Sequence, residues 1–330
     1  MTAIKVEDLT KTFNGFTAVD RISFTVKTGE LFGLLGPNGA GKTTTINMLS
    51  TLLKPTSGYA EVAGHNVAQE RDAVRNSIGV VFQDTALDNR LTGRENLEFH
   101  SVMYGLTKEV RDQRIKEVME LVELGDKADI LVEKYSGGMK RRLEIARGLI
   151  HKPKVLFLDE PTLGLDAQTR RHIWDYIKKL NKEEVSIILT THYMEEADYL
   201  CERVAIMDHG KIVAMDTPQN LKNSLGGDIV SLEIENQDSS ALETGLKGFE
   251  WLSGIDRHDG TLDLKVKNAD KHIPEIFYVA EKRGIAVNSV HLRKPSLEDV
   301  FLRYTGKTIR ETEATQADRH REMTIRGAHR

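Results

Sequence analysis

Residues 36–43 read Gly-Pro-Asn-Gly-Ala-Gly-Lys-Thr, and this short stretch decides which fold the chain can adopt. It matches the pattern of a loop that binds phosphate groups. The apolar run Leu31–Leu35 before it predicts a buried strand, and Ile46, Leu49 and Leu53 after it fall on one face of a helix. A glycine-rich turn between a strand and a helix presents backbone N–H groups and the helix N terminus to an anion. The sequence therefore predicts a strand, a phosphate-binding loop and a helix in that order.

The same loop supplies most of the candidate ligand-binding residues. Lys42 would bring a positive charge to the β- and γ-phosphates of a nucleotide, and the Thr43 hydroxyl would bind Mg²⁺. The alternative is an ordinary glycine-rich turn with an exposed lysine, which the flanking strand and helix disfavour. The residues predicted to bind nucleotide here are Gly36, Asn38, Gly39, Gly41, Lys42, Thr43 and Thr44.

A second candidate site follows the apolar run Val155–Leu158, where two carboxylates, Asp159 and Glu160, come in succession. Ligands of open α/β sheets bind at the carboxyl ends of the strands. We expect Asp159 to hold Mg²⁺ and Glu160 to orient and deprotonate an attacking water. Two acids that merely solvate a strand end are the alternative, and the phosphate-binding loop elsewhere in the chain argues against it.

Length and composition exclude several classes of protein. At about 150 residues per domain, 330 residues suggest two domains. The 46 basic and 50 acidic side chains nearly balance, which argues against a chain built to bind nucleic acid. The single cysteine, Cys201, excludes an intrachain disulfide and fits a reducing compartment. No apolar run is long enough to span a membrane, and residues 1–6 do not resemble a secretory signal, so we expect a cytoplasmic protein.

Alternation of strands and helices predicts a doubly wound α/β core. We expect antiparallel strands before the phosphate-binding loop and a helical segment over about 88–150, which starts with the capping box Thr92 to Glu95. Beyond residue 225 the patterns predict a small α+β domain. It would contain a turn at Asp259-Gly260, a helix capped by Asp270 and a last helix over Ser296–Tyr304. The predicted domains are 1–225 and 226–306, followed by a disordered tail, 307–330.

The segment Tyr135-Ser136-Gly137-Gly138-Met139 lies 24 residues before Asp159 and resembles the signature motif of ATP-binding cassette (ABC) ATPases. The usual family form has Leu and Gln where Tyr135 and Met139 stand. The resemblance implies that Ser136, Gly137 and Gly138 face the γ-phosphate of ATP held by a second copy. One chain then supplies one phosphate-binding loop and one signature, so the resemblance implies a head-to-tail dimer of two copies with ATP between them.

Five more positions match the family's motifs. The resemblance implies that Gln83 senses Mg²⁺ and the membrane partner, and that Asp166, in Leu163-Gly164-Leu165-Asp166, crosses the dimer interface. It also implies that His192 contacts the γ-phosphate, that Phe13 stacks on adenine, and that Val19 flanks the same ring. Taken singly, Gln83 and His192 read as a loop amide and a strand-end imidazole, and Phe13 as a core residue. Their order and spacing favour the functional interpretation, and Asp166 should also cap the following helix.

The resemblance covers about residues 1–225. The sequences of three segments resemble those of the daunorubicin-resistance-type multidrug export subfamily: Tyr135–Arg142, Thr191–Ala197 and Pro295–Phe301. It implies an ATPase subunit that drives export of drugs or other hydrophobic or amphiphilic compounds. Separate permease subunits would dock on the helical segment and hold the chain at the cytoplasmic face of the membrane. Two alternatives remain: a soluble ABC ATPase without transport, and a polysaccharide, lipid or ion exporter in which residues 226–306 sense the solute.

Overall fold

The computed structural model describes residues 1–182, 185–234, 240–258 and 261–306. Its strands are β1 (Thr2–Phe13), β2 (Phe16–Lys27), β3 (Leu31–Leu35), β4 (Ser57–Val62), β5 (His65–Asn66), β6 (Ile78–Val81), β7 (Val155–Asp159), β8 (Ser186–Thr191), β9 (Arg203–Asp208), β10 (Lys211–Asp216), β11 (Asp228–Ile234), β12 (Leu252–His258), β13 (Thr261–Val266) and β14 (Val287–Arg293). The predicted turn at Asp259-Gly260 and the predicted tail lie outside the described residues.

The helices are α1 (Lys42–Leu49), α2 (Arg71–Ser77), α3 (Gly93–Met103), α4 (Lys108–Leu121), α5 (Gly137–Leu149), α6 (Ala167–Asn181), α7 (Met194–Leu200), α8 (Pro218–Asn223), α9 (Ser240–Leu246), α10 (Ala269–Lys282) and α11 (Leu297–Thr305). Two 3-10 turns, Gly125–Lys127 and Val132–Lys134, join α4 to α5. None of the helices in the described ranges is both long enough and apolar enough to cross a membrane.

The described chain divides into two units, Met1–Thr217 and Pro218–Gly306. The sequence suggested a division near residue 225 instead. The residues between form α8, which packs on α11 of the second unit. Local sequence patterns do not show this packing, because α8 and α11 are far apart along the chain.

A six-stranded sheet in the order β10-β9-β3-β8-β7-β6 forms the centre of the first unit. All its neighbouring strands are parallel except β10, which pairs antiparallel with β9 at one edge. Every residue of β3, β7 and β8 is buried, which explains why these strands read as continuous apolar runs with polar residues only at their ends. The predicted α/β core with parallel strands is therefore confirmed.

The predicted N-terminal antiparallel subdomain is also present, as a sheet in the order β2-β1-β4-β5. It shares one hydrophobic core with the central sheet, where Phe24 of β2 stacks on Phe32 of β3 with ring centroids 5.3 Å apart. The helical segment contains α3, α4 and α5. Its capping box forms as expected, since Thr92 accepts a bond from the Glu95 N–H and Glu95 accepts one from the Thr92 N–H.

Between α8 and α11, the second unit has the order β11-α9-β12-β13-α10-β14, with an antiparallel sheet arranged β12-β13-β11-β14. This is the ferredoxin-like topology. The alternating apolar residues of β11 and β13 face α9 and α10, and this pattern made both strands predictable. Neither β12 nor α9 is evident in the sequence pattern, because Gly254 interrupts the alternation of β12 and α9 is only two turns long.

The prediction that Asp270 caps α10 is wrong. The N-cap residue is Asn268, in a left-handed conformation with φ 53°, and Asp270 lies in the first turn. Asn tolerates this conformation better than most residues, and Asp228 of β11 accepts the bond from the Ala269 N–H at 3.3 Å. The predicted last helix is present as α11, and Ser296 and Asp299 form a second capping box at its start.

The close approach of β6 to α5 generates a prediction about stability. A Cβ atom on Gly79 would lie 2.1 Å from the Gly148 carbonyl oxygen, and backbone cannot move aside as a side-chain tip can. We expect Gly79→Ala to lower the free energy of unfolding by about 1–3 kcal/mol or more, as overpacking does. Urea denaturation measures this. Gly125→Ala is the matched control, because its Cβ would meet nothing closer than 4.0 Å; equal stability losses would contradict the prediction.

Candidate functional site

The candidate residues gather at one edge of the central sheet, where four parallel strands end side by side. Leu35 of β3 pairs with Thr191 of β8, and Asp159 of β7 pairs with Thr190. β6 ends beside Leu158, so Gln83 follows at the same edge. The phosphate-binding loop, the two carboxylates, His192 and Gln83 therefore leave the sheet next to one another.

The loop between β3 and α1 is shaped by close backbone contacts. A Cβ on Gly36 would lie 2.3 Å from the Met207 carbonyl oxygen, and Gly41 has φ 104° with Ala18 O only 2.6 Å from its Cβ position. Both positions therefore require glycine. Asn38, Gly39 and Thr43 are exposed at the surface of the loop. The loop thus presents its backbone to a ligand while the sheet behind it fixes its path.

Lys42, the first residue of α1, is buried although it is charged. Its Nζ donates hydrogen bonds to the carbonyl oxygens of Gly36 at 2.8 Å and Pro37 at 3.1 Å. The same Nζ lies 3.4 Å from Glu160 Oε1. The ammonium group is therefore held between the phosphate-binding loop and the carboxylate of Glu160. A phosphate group bound in the loop would contact it there.

Two hydroxyl groups converge on the Asp159 carboxylate. Thr43 Oγ1 donates to Asp159 Oδ1 at 3.2 Å, and Thr190 Oγ1 donates to the same oxygen. A carboxylate and a hydroxyl are hard oxygen ligands of the kind that Mg²⁺ prefers. Within the described ranges no cluster of three or more His, Cys, Asp or Glu side chains could hold a metal ion. The donor set fits Mg²⁺ bound together with phosphate oxygens and water, which is its usual coordination in nucleotide sites.

Glu160 follows β7 in an uncommon backbone conformation, with φ 46°. Its N–H donates to Thr190 Oγ1 at 3.0 Å and to the Thr190 carbonyl oxygen at 3.1 Å, which fixes the turn. His192 Nδ1 lies 3.2 Å from its Oε1. Burial by itself raises the pKa of Glu160, but the bonds to His192 and the charge of Lys42 outweigh it and hold the pKa below its ordinary value. The carboxylate is therefore ionised at neutral pH and oriented by two partners.

Three predicted ligand residues have no part in this hydrogen-bonded cluster. Phe13, at the end of β1, is 43% exposed, so it is not a core phenylalanine, and Lys11 Nζ lies 4.9 Å from its ring centroid. Gln83 is exposed beyond the end of β6. Val19 is fully buried, and its Cγ2 lies 3.3 Å from the Cβ position of Gly41. Val19 thus packs against the phosphate-binding loop on its buried side.

The Ser-Gly-Gly segment lies at the start of α5 and faces other partners. Ser136 caps the helix by accepting a bond from the Met139 N–H at 3.3 Å, and both Ser136 and Gly137 are exposed. A Cβ on Gly138 would lie 2.5 Å from Thr169 Cγ2 on α6. Asp166 caps α6 as predicted, accepting bonds from the Thr169 N–H at 2.9 Å and Oγ1 at 2.6 Å. The signature segment and the Asp166 turn therefore meet around Thr169.

Tyr135 stands where the usual signature motif has leucine, and the structure gives a reason for this difference. The ring is buried in the helical segment, and its hydroxyl donates to the Lys127 carbonyl oxygen at 2.7 Å. Tyrosine thus fills the place of leucine and adds a hydrogen bond.

Sequence reasoning missed two residues that shape the site. Thr190 forms hydrogen bonds with both Asp159 and Glu160. The sequence feature that could have indicated this role is the pair of threonines at the end of the apolar strand β8, which lies next to β7. Arg141 is buried and donates to the backbone on both sides of Glu160. No local pattern reveals that contact.

Comparison with known proteins identifies the family. The linearmycin resistance ATP-binding protein LnrL of Bacillus subtilis is 39% identical over 311 residues, which cover 93% of this chain and 100% of that protein. The daunorubicin/doxorubicin resistance ATP-binding protein DrrA of Streptomyces peucetius is 40% identical, over 92% of each chain. This chain belongs to the ABC transporter ATP-binding proteins. The resemblance inferred from the signature motif is confirmed.

Family models place both parts of this ABC subunit. The model described as ABC transporter matches residues 19–163, and the model of the C-terminal domain of DrrA1-3-like ATP-binding proteins matches residues 217–305. A solved dimeric ATP-binding cassette, in a post-hydrolysis state with ADP and Pi, has a TM-score of 0.59 and 29% identity. The match covers 65% of this chain and 98% of that one. The predicted ABC fold and the predicted ATPase activity are confirmed.

The lowered pKa of Glu160 predicts a pH dependence of stability for this ABC subunit. The pKa of Glu160 in the folded state lies below the ordinary value that it has in the unfolded chain. The ionised carboxylate therefore stabilises the fold fully at any pH above that ordinary pKa. The contribution is lost as the pH falls through the folded-state pKa. Each unit of depression corresponds to about 1.4 kcal/mol. The unfolding free energy of the wild type, minus that of Glu160→Gln, should therefore be constant at neutral pH and decrease below about pH 4.5.

Urea unfolding without nucleotide measures that difference at each pH. Glu133→Gln, which changes an exposed carboxylate, is the matched control. A difference for Glu160→Gln that does not vary between neutral pH and the acid limit of folding would contradict the assignment of its charge state.

Proposed function

We propose that this ABC transporter ATP-binding subunit powers the export of drugs or other hydrophobic or amphiphilic compounds through a separate membrane permease. The observation that carries the proposal is the extent of the likeness to LnrL, which spans that whole resistance protein. It includes the second unit, which matches a domain model specific to DrrA-like proteins. The subunit would then act at the cytoplasmic face of the membrane, held there by the permease.

An exposed apolar face on α3 supports a membrane-protein partner. Phe99, Val102 and Met103 are 67%, 60% and 69% exposed, on a helix of the segment where the family docks its permease. Contiguous exposed apolar side chains mark interaction surfaces. We assign this face of α3 to permease contact.

We further propose that Mg²⁺ accompanies ATP at the sheet edge, held by Thr43, Asp159 and Gln83. The ion would neutralise charge on the phosphate oxygens during transfer. Lys42 and backbone N–H groups of residues 38–44 would bind the phosphates, and the exposed ring of Phe13 would stack on adenine.

Glu160 is the general base in this proposal. Its carboxylate is ionised, nearly buried and held at Oε1 by His192 and Lys42, so it can orient a water molecule and accept its proton. His192 would contact the γ-phosphate and keep Glu160 in place. A bound γ-phosphate would draw Lys42 away from Glu160, which leaves the carboxylate available for the water.

The exposed Ser136-Gly137-Gly138 segment supports a site shared between two copies. Its contacts run to α6, whereas those of the phosphate-binding loop run to Glu160 and Asp159. An exposed helix N terminus is suited to bind an anion brought by another molecule. We propose a head-to-tail dimer in which this segment meets the γ-phosphate held by the partner and Asp166 lies at the interface.

The role of Glu160 makes a specific prediction. Glu160→Gln should bind ATP as the wild type does but hydrolyse it about 10²–10⁴-fold more slowly, because an amide cannot accept the proton of the water. Calorimetric titration measures binding, and phosphate release measures turnover. A variant that hydrolyses ATP at nearly the wild-type rate would remove Glu160 from this role. The exposed Glu133→Gln should leave both quantities unchanged.

The shared site predicts complementation between two defective variants. Lys42→Ala damages the phosphate-binding loop and Ser136→Arg damages the signature, so each should be inactive alone. A mixture forms heterodimers with one damaged and one intact site, and it should regain part of the hydrolysis, increasing with protein concentration. Membranes that carry the permease should raise the activity further.

The outcomes of this experiment separate the alternatives. A mixture that stays inactive at all concentrations, beside a wild type whose rate per subunit is independent of concentration, would contradict the shared site. Complementation that no membrane fraction affects would favour a soluble ATPase without transport. A solute that binds the second unit and changes the rate would favour the solute-sensing exporter.

A further inference from the structure

Helix α5, which begins at the signature serine, carries a buried ion pair at its centre. Arg141 is 9% exposed and Glu144 is 1% exposed, and Arg141 Nη1 lies 3.6 Å from Glu144 Oε2. Charged side chains are rarely buried this deeply unless most of their polar atoms have partners. Apart from Arg147 on the same helix, the partners of this pair lie outside α5, in the two loops that bear Gln83 and Glu160.

Arg141 donates hydrogen bonds to three backbone carbonyl groups. Its Nε bonds Pro161 O at 2.7 Å and its Nη2 bonds Asp159 O at 3.1 Å, so the guanidinium holds the chain on both sides of Glu160. Its Nη1 bonds Phe82 O at 2.6 Å, in the residue just before Gln83. One rigid planar group therefore ties together the ends of β6 and β7.

Glu144 holds the far end of the Gln83 loop. Its Oε1 accepts a bond from the Ala86 N–H at 2.7 Å. Arg147, one turn further along α5, donates to the Ala86 carbonyl oxygen at 3.3 Å and lies 3.7 Å from Glu144 Oε1. Residues 82–86 are thus fixed to α5 at both ends, with Gln83 between the two attachments.

We infer that Arg141 and Glu144 are positioning residues, which hold the Gln83 loop and the Glu160 turn in a fixed relation to the signature helix. The inference rests on the proposed roles of Gln83 and Glu160. A movement of α5 would then shift Gln83 and Glu160 together. Docking of the permease on the helical segment, and closure of the dimer at the signature segment, would both reach these two residues through the Arg141–Glu144 pair. Glu160 has an uncommon backbone conformation, with φ 46°, and such conformations persist where surrounding contacts hold them, here the bonds of Arg141 on either side.

The test compares two conservative variants with a neighbouring control. Arg141→Lys keeps the charge but has a single ammonium group, which cannot reach three carbonyl oxygens in a fork. Glu144→Gln keeps an acceptor for the Ala86 N–H but loses the charge that faces two arginines. Arg142→Lys is the matched control: Arg142 is on the same helix and also bonds a backbone carbonyl group, that of Val122, away from both loops.

We expect Arg141→Lys to lower kcat for ATP by about 10- to 100-fold with KM within about twofold, because misplacement of reacting groups costs rate more than binding. Glu144→Gln should lower kcat in the same way. The double variant should lose little more than the worse single one, since the two residues act as a unit. Arg142→Lys should keep the wild-type kcat, and thermal unfolding checks that all variants are folded.

The result that overturns the inference is wild-type kcat in folded Arg141→Lys and Glu144→Gln, or an equal loss in Arg142→Lys. If Arg141→Lys fails to fold, Glu144→Gln decides the question alone. Glu160→Gln is measured in parallel. If it retains turnover, the proposed function of Glu160 fails, whereas loss of turnover there with wild-type kcat in the two α5 variants rejects only the positioning role.

Discussion

The common edge at which β3, β8 and β7 end is the constraint on which the candidate site depends. Parallel pairing puts Leu35 level with Thr191 and Asp159 level with Thr190, so the loop and both carboxylates leave the sheet next to one another. Every residue of β3, β7 and β8 is buried, so the faces of these strands are covered, as is usual for parallel strands. The chemistry is therefore confined to the residues that follow the last buried position of each strand.

The charges at that edge hold one another in place. Lys42 and Glu160 are both nearly buried, and each is stabilised by the other and by polar partners from the loop and from His192. A charge buried without partners would be costly, so the cluster is satisfied before any ligand arrives. In the proposed function, ATP binding would exchange protein contacts of Lys42 for phosphate contacts. Burial raises the pKa of Glu160, whereas the hydrogen bond with His192 and the charge of Lys42 lower it, and the net effect is a lowered pKa.

The signature helix joins this edge to the rest of the first unit. Its N terminus, at Ser136, faces outward, whereas its buried middle grips the backbone at Phe82, Asp159 and Pro161. The helix thus has an exposed end suited to a partner and a buried section bonded to the backbone around the candidate catalytic residues. The second unit has its own core and a ferredoxin-like topology, so it folds around contacts separate from this site.

The sequence by itself determined the features that depend on neighbouring residues. The phosphate-binding loop, the buried strand before Asp159, the caps at Thr92 and Asp166 and the alternating strands β11 and β13 all follow from short-range hydrogen bonding and periodicity. The tertiary structure alone decided the grip of Arg141 and Glu144, the bridge through Thr190, the docking of α8 and the capping of α10 by Asn268 beside Asp228. These depend on groups far apart in the chain, whose approach no local pattern encodes, because it is set by how strands and helices pack.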